Sequence, residues 1–118
     1  MEESYIESLN NSHVKNLVKL RERKHRNRQE RFIIEGYREI KHSIDANFEI
    51  ETLYFCPELF PQEVHVAYIS EVKTLRDIPL IRMHPSAFKK ASSREGPDGI
   101  IAVSKPNHYS LNQLKTNK

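Results

Sequence analysis

Apolar residues follow two rhythms along the chain, one of three and four residues and one of short unbroken runs. Val14, Leu17 and Val18 keep helical spacing and predict a helix over 11–28, capped by Asn11 or Ser12. Lys15, Lys19, Arg23 and Arg26 form a ridge on its other side. The stretch 23–28 is expected to fray, because neighbouring like charges repel and no apolar residue anchors them. Phe32-Ile33-Ile34 is too short and too β-branched for a helix, so it predicts a buried strand over 31–35 that Gly36 ends. Helical spacing returns at Tyr37, Ile40 and Ile44, with Asn47 as a left-handed terminator.

The run 50–55 predicts a second strand, and Val64, Tyr68, Val72 and Leu75 predict a helix over 62–76. A strand over 79–83 and a helix opened by Pro85 through Phe88 and Lys89 follow. Serine, glycine and proline make 92–99 a loop, and Ile100-Ile101-Ala102-Val103 is a fourth buried strand. Four short strands alternating with helices predict an α/β layered domain, helices covering both faces of a parallel or mixed sheet. Ordered structure is expected over 1–104, with the polar, proline-marked 105–118 as a linker toward a further domain.

A chain of 118 residues is one domain's length and needs no disulfide to hold its core. Its one cysteine, Cys56, sits at the end of an apolar strand, which implies a buried structural thiol and a reducing compartment. The acidic opening Met1-Glu2-Glu3-Ser4-Tyr5 lacks the apolar core of a signal peptide, and no run is long enough for a membrane span. A cytoplasmic location is expected, with no membrane partner.

Charge changes the picture most. Residues 15–31 hold eight of the nineteen lysines and arginines against two acids, in a chain whose net charge is +3. Lys15, Lys19, Arg23, Lys24, Arg26, Arg28 and Arg31 are therefore candidate phosphate contacts, and RNA is the polyanion expected. Gly36 and Arg38 extend that site. A helix opening directly after a strand offers backbone N–H groups to an anion, glycine allows close approach, and an arginine in the first turn can fork onto a phosphate. The competing reading has Arg38 pairing with Glu35 or Glu39. Catalytic chemistry is not expected: the six histidines lack ligand spacing, three glycines build no phosphate or dinucleotide cradle, and the acids are scattered. No metal or cofactor is assigned to the chain.

Val14-Lys15 and Leu17, the run Leu20-Arg21-Glu22-Arg23-Lys24-His25-Arg26 and the turn Phe32-Ile33-Ile34-Glu35-Gly36-Tyr37-Arg38-Glu39 carry a resemblance. With Phe88-Lys89-Lys90 and Pro97-Asp98-Gly99-Ile100-Ile101-Ala102-Val103, they resemble the N-terminal substrate-binding domain of SpoU/TrmH-type RNA 2′-O-ribose methyltransferases. The resemblance implies the three-layer α/β/α sandwich of the kink-turn-binding ribosomal proteins. It also implies a noncatalytic domain that recruits rRNA or tRNA for a neighbouring SPOUT domain, which binds S-adenosylmethionine and forms the homodimer. The catalytic Asn-x-Gly-x-x-x-Arg segment is not in this chain. By the same likeness Arg23, Lys24, Arg26, Phe32, Glu35, Gly36 and Arg38 inherit the substrate-side motif, with Phe32 expected in the core and Glu35 orienting Arg38 or a backbone amide. Arg94 is a second contact if its loop lies beside the Gly36 turn. The alternatives are a standalone ribosomal-type RNA-binding protein and a module whose basic helix docks an acidic protein surface.

Overall fold

The computed structural model describes residues 4–106. Five strands, β1 (Ser4–Ile6), β2 (Phe32–Glu35), β3 (Glu49–Phe55), β4 (Leu80–Met83) and β5 (Ile100–Lys105), form one sheet in the order β1-β4-β3-β5-β2. β1, β4 and β3 run parallel, and β5 is antiparallel to both β3 and β2. The five helices are α1 (Ser12–Lys19), α2 (Arg23–Gln29), α3 (Tyr37–Asp45), α4 (Glu63–Leu75) and α5 (Pro85–Ala91).

Strand pleating explains the layers. Ile101 and Val103 of β5 point into a core with Leu17 of α1 and Phe88 of α5, whereas Ile100 and Ala102 point into a second core with Ile40 of α3 and Val72 of α4. Both faces of β5 are covered, so its residues 100–103 read as an unbroken apolar run. The result is the expected three-layer α/β/α sandwich. Antiparallel pairing through β5 leaves β2 running in the same direction as β1, β3 and β4. The turn at Gly36, the segment after Phe55 and the loop 92–99 therefore share one rim of the sheet.

Two expectations need correction. The sheet has five strands rather than four: β1 is three residues long with a single buried side chain, Ile6, too little for any periodic signal, and it is held by pairing with β4. The helix expected over 11–28 is two helices, broken at residues 20–22, and 23–29 is helical rather than frayed. Arg26 causes much of this. Its Nη1 donates to the carbonyls of Leu20 at 3.1 Å and Arg21 at 2.6 Å, covering acceptors that a helix end leaves open. Reciprocal amide hydrogen bonds between Asn16 and Gln29, 2.7 and 3.2 Å, then lash α2 to α1. Those contacts outweigh exposed like-charge repulsion, which is worth only about 0.2–0.5 kcal/mol per pair. Asn11 caps α1 through its side chain, and Asn47 takes a left-handed φ of 66° after α3. Beyond Pro106 the expected linker lies outside the described residues.

Cys56 is fully buried in the core under α1 and α5. Burial, with the Glu58 carboxylate adding to it, pushes its thiol up to about 11. At pH 8 the thiolate is then about one part in a thousand. A thiol reagent at that pH is expected to modify Cys56 only as fast as the protein opens. Labelling at the rate of a free thiol in folded protein would contradict this.

Candidate nucleic-acid interface

The site is built around the end of β2. Glu35 turns its carboxylate toward the loop 92–99, where Oε1 accepts from the Ser93 N–H and from Ser93 Oγ, each at 3.2 Å, and Oε2 accepts from Ser92 Oγ. Ser92 Oγ in turn accepts the Arg94 N–H at 3.0 Å. Arg94 then reaches back, its Nη2 donating to the Glu35 carbonyl at 2.8 Å and lying 3.9 Å from Glu39 Oε2. Between them Gly36 sits at φ 101°, ψ 146°, backbone space that only glycine occupies readily, and a Cβ there would lie 2.6 Å from Arg94 Nη1. Thus the loop lies beside the Gly36 turn, and Glu35 holds a backbone amide rather than Arg38. Replacing Glu35 with alanine is expected to cost about 1.5 kcal/mol through the lost bonds, which lowers the melting temperature by about 8 °C. A calorimetric scan checks it, and an unchanged melting temperature would show the clasp to be idle.

The start of α3 is already occupied from within the protein. Its first amide, Tyr37 N–H, is already taken by Asp98 Oδ2 at 2.8 Å, and Glu39 lies in the first turn. An internal carboxylate fills the position predicted to receive a phosphate. Asp98 Oδ2 also lies 3.2 Å from His65 Nε2. Asp98 entered the sequence reading only as part of the run 97–103 and His65 not as a site residue, since neither is near Gly36 along the chain.

The candidate cations separate into two kinds. Arg26 is spent on the carbonyls of the α1–α2 break, and Arg31 pairs with Glu51 at 2.9 Å while also donating to the carbonyls of Gln29 and Glu30. Arg21, which composition did not single out, does similar work: its Nη2 donates to the carbonyls of Lys90 and Ser92, closing the end of α5. By contrast Lys15, Lys19, Arg23, Arg28 and Arg38 are exposed and make no hydrogen bond or ion pair among the described residues. Lys24 lies 3.7 Å from Glu22 at a well-exposed pair of little energetic weight. Three open clefts flank these groups. One of about 400 Å³ holds Arg38, Glu39 and Arg94, and one of about 440 Å³ holds Arg26, Phe32, Glu35 and Ser93. The third, also about 440 Å³, holds Lys15 and Lys19 on α1. The candidate residues therefore do not converge on one pocket. Phe32 is half-buried against the α3–α4 core.

Fold and site define a three-layer α/β/α module whose described residues display exposed cations beside open clefts. The chain belongs to the MRM3-like substrate binding domain family, whose pattern matches residues 11–102. Among solved structures it is similar to an RNA 2′-O ribose methyltransferase at 33% identity and TM-score 0.74, a match covering 91% of this chain and 39% of that one. An rRNA methyltransferase from Sinorhizobium meliloti matches at 19% identity and TM-score 0.71, over 91% of this chain and 38% of that one. The SpoU methyltransferase AviRb from Streptomyces viridochromogenes, in complex with the cofactor AdoMet, matches at 20% identity and TM-score 0.65, over 88% and 36%. These last two carry the fold alone. No curated protein matches. The chain thus spans under two-fifths of the solved relatives it matches, and its likeness to the N-terminal domain of the SpoU/TrmH methyltransferases holds.

Proposed function

We infer that the chain is the RNA-docking part of an S-adenosylmethionine-dependent RNA 2′-O-methyltransferase, binding rRNA or tRNA and performing no chemistry itself. The observation that supports this most is the set of five exposed cations with no hydrogen-bond or ion-pair partner among the described residues, Lys15, Lys19, Arg23, Arg28 and Arg38, on a member of a substrate-binding family. Long cationic side chains left unneutralised are suited to release counterions from a phosphate backbone. Arg94 is partly engaged with Glu35 and Glu39, and it borders the cleft that Arg38 lines.

Methyl transfer and cofactor binding belong to sequence beyond this domain. The space beside the two glycines at positive φ is already filled, by Arg94 and Glu39 at Gly36 and by the Cys56 carbonyl and Phe60 ring at Gly99, so neither offers a cofactor cradle. Homodimerisation is likewise assigned to the catalytic part, and the whole protein to the cytoplasm.

Fluorescence anisotropy with a labelled single-stranded rRNA fragment at 50 and 200 mM salt tests the reading. Five phosphate contacts at about −0.7 each give a log–log slope of about −3.5, hence about a hundredfold weaker binding at the higher salt. No binding, or binding indifferent to salt, would remove RNA as the partner.

A further inference from the structure

The third cleft carries more than two lysines. Ser12, His13, Lys15, Asn16 and Lys19 line it, and below it lies Tyr54 of β3, only 5% exposed, with its hydroxyl 2.7 Å from His13 Nδ1. The two rings meet edge-on, centroids 5.7 Å apart. Burial, with Glu51 adding to it, pushes the Tyr54 phenol up to about 12, so it keeps its proton throughout the physiological range. A phenol is a stronger donor than acceptor, and among the described residues the Tyr54 hydroxyl has no other hydrogen-bond partner. With this O–H donated to Nδ1, the tautomer that fits the contact is the one whose other ring nitrogen, Nε2, carries the hydrogen. Asn16, meanwhile, is held by Gln29 on both amide atoms and braces the cleft.

We propose that this cleft is a subsite for one phosphodiester of the RNA backbone, with His13 Nε2–H as a fixed donor, Lys15 and Lys19 as counter-charges and buried Tyr54 as the positioning residue. The proposal rests on the RNA-binding reading and adds to it a contact residue, His13, and a residue that sets the direction of that contact from inside the core. Tyr54 gains no contact with RNA. Its hydroxyl limits the ring to one tautomer and one orientation, so the donor meets a phosphate oxygen without first being ordered. Lys15 and Lys19 sit four residues apart on one side of α1, spaced to meet the two unesterified oxygens of a bound phosphate or their near neighbours.

The test uses the whole chain and a twelve-nucleotide oligouridylate at low salt. Imidazole nitrogen spectra of the free protein should show His13 with hydrogen on Nε2, and the titration should shift those signals. Tyr54→Phe keeps the ring that fills the core and removes only the hydroxyl. It should blur the tautomer signature and weaken binding three- to tenfold, and His13→Ala added to it should cost little more. A thermal melt of Tyr54→Phe separates this from unfolding, and His13→Gln, which restores a neutral donor, should recover part of the affinity lost by His13→Ala. If oligouridylate binds while the His13 signals stay still, or if Tyr54→Phe binds as tightly as the parent, the subsite is wrong and RNA binding stands. If the parent binds no RNA at all, the wider reading fails and takes the subsite with it.

Discussion

Reversing Lys15, Lys19, Arg23 and Arg28 together to glutamate is expected to weaken RNA binding about 500-fold or more at 0.1 M salt while the fold survives. All four side chains are exposed and none is tied to a protein acceptor among the described residues. Each phosphate contact on a single strand contributes about 0.7 to the logarithmic salt slope, which at 0.1 M is about fivefold in affinity per contact; four contacts multiply to roughly 600. Added repulsion from the new carboxylates makes this a lower figure. Stability should stay nearly level for a reason readable from position. Lys15 lies in the first turn of α1 and Arg23 in that of α2, where a negative charge is favoured, whereas Lys19 and Arg28 lie in the last turns, where it is not. The two effects oppose each other. Anisotropy titration beside a thermal scan checks the result, and a variant that binds as tightly as the parent would remove the basic arm from the interface.

The largest loss of stability is expected from Gly99→Ala. Gly99 is buried at φ 91°, and an added Cβ would lie 2.6 Å from the Cys56 carbonyl oxygen and 2.8 Å from Phe60 Cδ1. That carbonyl belongs to backbone pinned in place, since the Cys56 N–H donates to the Gly99 carbonyl at 2.8 Å. The carbonyl therefore cannot withdraw as the end of a flexible side chain would. Backbone strain and overpacking together should cost about 3 kcal/mol, lowering the melting temperature by about 15 °C. Calorimetry on the purified variant decides it. A shift of only a degree or two would mean that the β3 end and the start of β5 move apart at little cost.

Much of the architecture was legible because its signal is local. The apolar run 100–103 and the spacing of Tyr37, Ile40 and Ile44 each announce an element within a few residues. β1 escaped because a three-residue edge strand with one buried side chain has no period to detect. At the site the limit was different. Arg26, Arg31 and Lys15 look alike in a basic run, yet carbonyls and Glu51 occupy the first two while the third stays open. Which cations are spent depends on contacts made across the fold. Asp98 shows this most clearly, since the carboxylate that closes the start of α3 comes from 61 residues further along the chain.

The order of strands has a bearing on how the domain is made. Among the described residues β2 pairs only with β5, and β5 also closes onto β3, yet β5 is the last strand described. During vectorial synthesis the cation-bearing arm must therefore wait beside an unsatisfied strand until residues 100–105 leave the ribosome and thread between two older neighbours. A nascent chain stalled before Ile100 would carry every arginine of the arm, but no scaffold to aim them.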